Sequence, residues 1–582
     1  MSPRPPDAEA PETLPDRHFP PLDRSVWRRW RTAVRAFVTS EVGGRARALA
    51  TALLLLLLAI NGLNVVNSYV GRDFMTAIES RSMPAFIGMA LLYVSVFAVS
   101  TVTSVIYRFA EERLGLLWRG WLTGRLVGGY LTNRNYYWLR EDSELSNPDQ
   151  RIADDVRAFT ATTLSLALIL LNGTFTIVAF SGVMWSISPA LFGAAVGYAL
   201  LGSGLTLVFG KPLLWLNYQQ ADREASLRAE LVHLRENAET VAIGRREGWL
   251  GARLRGRVDD LVANTKRIIA VNRNLGFFTT GYNYLTQIIP VLIVAPLFIR
   301  GEVEFGVISQ SAMAFSHLLG AFSLVVTQFQ QISSYAVVLA RLSALGESVE
   351  QLSARHASGI RFDDGGAGLA WEELTVRSPH DGSTLVEGLS LTVPPGVRTV
   401  VGGPNEAARH ALFRATAGLW SAGTGRVVRP PPASILFLPE RPYVPPGTLR
   451  QALLESAREH EVPDADLLAA LRALGVQNLV ARAGGLDVER DWDDQLSIDE
   501  QQLLSLARVL LAAPRFAVLD RPALVLGPER AAHALALLAT ASITTVTFAS
   551  DPALADQQDA RLELFDDGRW TWTPLRAESR SA

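Results

Sequence analysis

Residues Ala48–Gly71 read ALATALLLLLLAINGLNVVNSYVG, with no ionisable side chain between Arg47 and Arg72. A helix needs roughly 20 mostly apolar residues to cross a hydrocarbon core about 30 Å thick, so this stretch alone places the chain in a bilayer. Four more runs lack Asp, Glu, Lys and Arg: Ser82–Tyr107, Ala158–Gly210, Asn274–Ile299 and Phe305–Ala340. The third run, Ala158–Gly210, holds two spans with a turn at SISPA, Ser186–Ala190. Six transmembrane helices are therefore expected. Helices buried in a soluble core rarely run so far without a charge. A cleaved signal peptide is not expected either, because the first run begins deep in the chain and lacks a small-residue cleavage pattern.

Composition agrees with a membrane protein of several units. A chain of 582 residues is too long for one compact domain. Charged residues make up 19% and mean hydropathy is +0.18, unusual values for a soluble enzyme. The formal net charge of −2 offers nothing to attract nucleic acid. Without cysteine there are no disulfides, thiolate metal sites or thiol nucleophiles, and no metal cluster is expected.

Seven arginines lie between Arg24 and Arg47, which by the positive-inside rule puts the N-terminus in the cytoplasm. Within this segment Trp27, Trp30, Val34 and Phe37 recur at helical spacing with Arg28, Arg31 and Arg35 between them. That pattern predicts a helix lying in the membrane interface. The acidic, proline-rich stretch from Met1 to Leu22 is expected to be disordered. The connections Arg72–Arg81 and Arg300–Glu304 are short, whereas Arg108–Arg157 and Lys211–Arg273 are long and polar, as for helices that continue into the cytoplasm.

The membrane domain is assigned to residues 23–345, a linker to 346–365 and a second domain to 366–582. In that second domain short β-like runs (LSLTVPPG, RTVVGG, SILFLP, RFAVLD, ITTVTFAS) alternate with helical ones such as QLSIDEQQLLSLARVLLAA. Such alternation predicts an α/β domain with a largely parallel sheet.

Two membrane-domain motifs narrow the reading. NYYWLREDSELSNPDQRIADDV, Asn135–Val156, resembles the Asn-Pro-Asp-Gln-Arg-Ile segment of the peroxisomal acyl-CoA half-transporters of the ABC class and of bacterial SbmA/BacA-like peptide and cobalamin importers. RENAETVAIGRRE, Arg235–Glu247, resembles the Glu-rich coupling element of the same group. The resemblance implies an all-α six-helix transmembrane domain followed by an α/β ABC-type nucleotide-binding domain. It also implies a multi-pass protein, expected in a bacterial cell membrane with its C-terminal domain cytoplasmic, working as a dimer with ATP and Mg.

The polar residues of that nucleotide site are largely replaced. VVGGPNEAARHALFRATAGLW, Val400–Trp420, has the strand, turn and helix rhythm of a phosphate loop. Such a loop needs glycines so that backbone N–H groups close on phosphate, a lysine for its charge, and a hydroxyl for magnesium. Gly403 and Asn405 stand in their places, but the next glycine is Glu406, the one before lysine is Ala408, the lysine is Arg409 and the hydroxyl residue is His410. Glu406 repels phosphate, Ala408 obstructs close approach, Arg409 keeps charge without shape, and His410 offers nitrogen to a cation that prefers oxygen. No lysine occurs anywhere in this domain.

By the same resemblance Asp520 takes the magnesium-associated position, and the water-activating glutamate is Arg521, which cannot act as a base. The nucleotide-sensing Gln is Glu440, the signature Leu-Ser-Gly-Gly reads Leu496, Ser497, Ile498, Asp499, the switch histidine is Ser550, and the adenine-stacking aromatic is Ser378. No catalytic residue is assigned. The degenerate ATP-site positions are Gly403, Asn405, Arg409, His410, Glu440, Ser497 and Asp520, with weak or absent nucleotide binding expected.

Three functions fit this sequence. The first is a half-transporter for a peptide, acyl compound or cobalamin-like solute, paired with itself or with an intact ABC chain. The second is a proton-coupled transporter without ATP coupling, and the third a regulatory pseudo-ATPase. Asn61, Asn64, Asn67, Asn172, Tyr282, Asn283, Gln287 and Gln310 are polar residues within the spans, for a wet cavity or for helix-to-helix hydrogen bonds.

Overall fold

The computed structural model describes residues 24–141, 148–324, 328–355, 359–454, 462–492, 495–549, 554 and 557–575. Residues 1–22, expected to be disordered, lie outside this set. The chain divides into two compact units, Met1–Leu352 and Ser353–Ala582. Residues 346–355 of the expected linker are helical, and Arg361–Asp363 of it form a strand.

The first unit is all helix: α1 (Arg24–Val38), α2 (Gly43–Glu79), α3 (Met83–Leu131), α4 (Asn135–Glu141), α5 (Val156–Ile187), α6 (Pro189–Glu236), α7 (Ala238–Gly244), α8 (Glu247–Ile299), α9 (Gly306–Phe322) and α10 (Phe329–Arg355). Among the described residues five helical stretches are long and apolar enough to cross a membrane: Gly43–Glu79, Met83–Leu139, Pro148–Ile187, Pro189–Gly210 and Glu247–Ile299. The sixth expected span, Phe305–Ala340, is not among them: α9 closes at Phe322 after 17 residues and α10 opens at Phe329. That expected span runs through residues 325–327, which lie outside the described set.

The spans turn large apolar side chains outward, with Leu55, Leu91 and Val94 more than half exposed. Water would disfavour such a surface; lipid tails accept it. Helices α3, with 49 residues, and α8, with 53, each run about 75 Å, far beyond one hydrocarbon thickness, so both project well outside the bilayer.

Inside the bundle Phe180, Met184, Leu191, Phe315 and Leu318 form a closely packed core. Polar groups there bond between helices. Asn61 on α2 donates from Nδ2 to Asn172 Oδ1 on α5 (2.9 Å) and accepts from Thr176 Oγ1 (2.9 Å). Tyr282 on α8 stacks on Tyr198 of α6 at 4.2 Å, and each hydroxyl donates to the other's carbonyl.

Both motif segments have a structural role. Arg151 and Asp155 are buried in a π-helical turn, Arg151–Asp155; the Arg151 guanidinium donates to the Arg341 carbonyl (3.1 Å), and Arg341 pairs with Asp155 (2.5 Å). The motif residues 142–147 lie outside the described set. Arg235–Glu247 is where α6 ends: Asn237 leaves helical geometry, α7 follows as a separate exposed helix, and Arg245 at φ +51° closes it.

Helix α1 forms where expected, but its apolar face is covered by protein. Phe37 is buried and stacks on Trp118 of α3 at 5.0 Å, while Trp30 and Val34 join the same cluster. The Trp27 side chain lies outside the described set.

The second unit contains a four-stranded sheet and a six-stranded one. The first has the order β1-β5-β2-β3, from Arg361–Asp363, Gly423–Val428, Leu369–Arg377 and Thr384–Val393. The second has the order β10-β9-β4-β8-β7-β6, from Trp570–Pro574, Ala560–Leu564, Thr399–Gly402, Thr544–Phe548, Phe516–Asp520 and Ile435–Leu438. Apart from the antiparallel β9–β10 pair, the larger sheet is parallel. Its central strands β4, β7 and β8 are buried throughout, in keeping with sequences that are apolar or β-branched apart from Asp520 at the end of β7.

Candidate functional site

The site lies beyond the C-terminal ends of β4, β6 and β7, where open α/β sheets hold ligands. Strand β4 leads through Gly403 into α11 (Glu406–Ala417). Gly403 has φ +109°, and a Cβ there would stand 2.2 Å from the Leu564 carbonyl oxygen, so the turn admits only glycine. Asn405 caps α11: its Oδ1 accepts from the Ala408 N–H (2.9 Å), while Nδ2 donates to the Phe565 carbonyl (3.2 Å). The loop scaffold is therefore intact.

Its polar contacts are turned inward. Arg409 is buried and its guanidinium donates back to the carbonyl of Gly403, at the start of its own loop. Strand β7 ends at Asp520, and Arg521 follows in the left-handed region at φ +47°. From there Arg521 pairs with Glu406 (Nη1 to Oε1, 2.5 Å) and with Glu440 through Nη2, and its Nε lies 3.7 Å from Asp520. One guanidinium thus joins the phosphate-loop helix, the segment after β6 and the end of β7.

Asp520 is almost fully buried, and its carboxyl is raised to about 6, chiefly by burial; Glu440 adds to the rise and Arg521 opposes it. His410 Nδ1 is 3.9 Å from Asp520 Oδ2, and burial, then Arg414 and Arg521, pushes the imidazole below its usual range. At neutral pH His410 is therefore uncharged.

The Leu496–Asp499 segment also has its polar groups bonded locally. After α12 (Leu449–Leu453), α13 (Asp464–Ala473) and α14 (Asn478–Ala483), Ser497 caps α15 (Ile498–Ala512) in a capping box with Glu500, and its hydroxyl donates to Asp499 (2.5 Å). Asp499 also accepts from Arg530 (3.1 Å), and these bonds, Ser497's first, hold its carboxyl below the usual range. The negative charges favoured at a helix N-terminus are supplied here by the helix itself.

A bound nucleotide and its cation need free loop N–H groups, a mobile cationic side chain, a hydroxyl and a carboxylate open to metal. Here the Ala408 N–H is bonded to Asn405 and the Arg409 guanidinium to Gly403. His410 stands where the hydroxyl belongs, and Asp520 faces Arg521. In this structure these groups are bonded to one another.

Of the sequence-assigned positions, Gly403, Asn405, Arg409, His410, Glu440 and Asp520 come together around this cluster. Ser497 belongs to the separate α15 cap. Ser550 lies outside the described residues. Ser378 sits in the turn between β2 and β3, with its N–H bonded to the Ser383 carbonyl (2.9 Å). Sequence reading missed the role of Arg521 as a bridge. The available signal was that a cation and two anions, Glu406 and Glu440, replace neutral or opposite residues at positions that one site brings together.

A helical multi-span unit joined to an α/β unit with a phosphate-loop scaffold defines a transporter half of the ATP-binding-cassette class. The ABC transporter transmembrane region 2 family matches residues 34–299. An uncharacterized ABC transporter ATP-binding protein of Synechocystis sp. is 36% identical over 536 residues, covering 90% of this chain and 81% of that protein. ABC transporter D family member 2, chloroplastic, of Arabidopsis thaliana is 32% identical over 593 residues, covering 90% and 84%. The lysosomal cobalamin transporter ABCD4 of Homo sapiens is 25% identical over 540 residues, covering 86% and 88%. The chain belongs to the ABC transporters and is a multi-pass membrane protein related to the D-family half-transporters.

Proposed function

We propose that this chain is the non-hydrolysing half of a heterodimeric ABC transporter, with an intact ABC chain supplying the working phosphate loop. The observation that carries this reading is Arg521, which stands where the water-activating base belongs and is bound to Glu406 and Glu440. A guanidinium does not accept a proton at physiological pH, so general-base activation of water has no agent at that position. The buried strands and intact loop scaffold support a domain kept for coupling and assembly.

The cargo class is a small solute such as a peptide, an acyl compound or a cobalamin-like molecule; the human relative is named for cobalamin. The arginines between Arg24 and Arg47 support a cytoplasmic N-terminus in a bacterial cell membrane, with the C-terminal domain on the same side. Affinity purification of the tagged chain from its own membranes is expected to bring down, in equal amount, a second ABC chain with intact Gly-Lys-Ser and Asp-Glu motifs. Recovery of this chain only with itself would overturn the heterodimer.

A further inference from the structure

Of the eight histidines, only His317 lies inside a run free of Asp, Glu, Lys and Arg, so it is the one side chain in those runs that changes charge near neutral pH. An ionisable group among membrane spans is read through its partners. His317 sits on α9, which packs against α2, α5, α6 and α8. Its half-buried ring stacks on Phe180 of α5, with centroids 4.6 Å apart and 14° between planes, inside the charge-free run Ala158–Gly210. Among the described residues it makes no hydrogen bond or ion pair.

The charged and titratable groups facing α9 are Tyr198 of α6, Tyr282 of α8, Arg72 and Asp73 of α2, and Glu304. The tyrosines bond each other's carbonyls, Arg72 pairs with Asp73 (2.8 Å), and Glu304 accepts from Thr76 (3.5 Å). Arg72 abuts Gly306, about three turns along α9 from His317, so none of these charges stands beside the imidazole.

What lies near His317 instead is a seam of polar groups with bonds unmade. Thr176, one turn before Phe180, donates to Asn61 of α2, which itself donates to Asn172. Ser68 of α2 is 1% exposed and Gln310 of α9 is 2% exposed, yet neither the Ser68 hydroxyl nor the Gln310 Nε2 has a partner. Asn67 Oδ1 is likewise unbonded. Unmade bonds are costly between membrane helices, and free donors and acceptors in one place are what ordered water requires. The exposed positions of α9 are Ser309, Ser316 and Gly320, whereas α3 exposes Leu91 and Val94. That open face of α9 is small and polar, unlike one shaped for lipid tails.

We propose that His317 is a proton-binding site of the membrane unit, reached by water through the polar seam of α2, α5 and α9. The neutral imidazole takes a proton from hydronium and releases water. The Phe180 ring face and the waters held on Ser68, Gln310 and Asn67 stabilise the imidazolium in place of a counter-ion. The site is independent of which chain supplies the working phosphate loop.

The test is deuterium exchange at the imidazole Cε1 of the full-length chain in lipid nanodiscs, read for each histidine by peptide mass spectrometry across neutral pH. Exchange at this carbon needs water at the ring, and its rate follows the ring's titration. His317 is expected to exchange, with a rate that rises through a single titration step. Ser68→Ala with Gln310→Leu is expected to slow it about tenfold, the weight of one lost hydrogen bond to water, and to leave the exposed His380 unchanged. Because the chain has no cysteine, His317→Cys gives a second readout. A charged thiosulfonate is expected to modify it and to spare Leu91→Cys on the outer face of α3. Thermal unfolding reports whether each variant folds. No exchange at His317, a rate flat with pH, an unslowed rate in the folded double variant, or an unreactive cysteine in folded His317→Cys would each overturn the site.

Discussion

Replacing Arg521 with alanine is expected to lower the unfolding midpoint of the C-terminal unit by roughly 5 °C, a loss of about 2 kcal/mol. Arg521 is one-quarter exposed and Glu440 similarly so, whereas the Asp520 side chain is 7% exposed. Removing the guanidinium leaves three carboxylates, Glu406, Glu440 and Asp520, facing one another with their shared cation gone. An exposed ion pair contributes little and a buried one is costly to break, and this cluster lies between those limits. The same substitution in a Glu440→Gln background is expected to cost less, because one of the stranded charges is already gone. Fluorescence-monitored melting of the full chain in detergent, for both singles and the double variant, gives the coupling. Additive losses would mean that the contact contributes no energy.

Asp520→Asn is expected to remove a pH dependence of similar size. Folding raises this carboxyl from its ordinary 3.8 to about 6, so the native state holds the proton more tightly than the unfolded chain. The resulting stabilisation is complete below pH 3.8 and is lost as pH rises through about 6. Two units correspond to about 3 kcal/mol. Compared with wild type, the asparagine variant should therefore gain stability from about pH 4 to about pH 6 and level off above it. A difference between the two proteins that stays constant over that interval would contradict the raised carboxyl.

Much of the architecture was legible because it rests on local patterns. Charge-free runs report spans directly, and the alternation of apolar strands with helices gave β4, β6, β7, β8 and α15 close to their observed bounds, while LSLTVPPG caught only the second half of β3. Helix α1 illustrates the limit. Its amphipathic spacing was plain, but the same stripe serves a lipid interface or the face of Trp118, and tertiary packing decides between them.

The candidate site was legible as a set of losses and illegible as a structure. Glu406, Glu440 and Arg521 each read as a separate departure from nucleotide chemistry. They are one bonded group, with partners 115 and 81 positions apart in sequence, a separation at which local pattern carries no pairing information. The signature serine is comparable: Ser497 survives in sequence, but its hydroxyl is engaged by Asp499 two residues away. The glycine turn at Gly403 and the Asn405 cap keep the loop backbone in place, while the polar side chains around it bond to one another.

The most direct measurement is ATP hydrolysis by the purified full-length chain in lipid nanodiscs with magnesium. Phosphate release is expected to stay at background at all ATP concentrations and to be unchanged by Arg521→Glu alone, because Glu406, Arg409 and His410 still occupy the loop. Saturable release above background at micromolar ATP, abolished by Asp520→Asn, would contradict the assignment of this chain as the non-hydrolysing half.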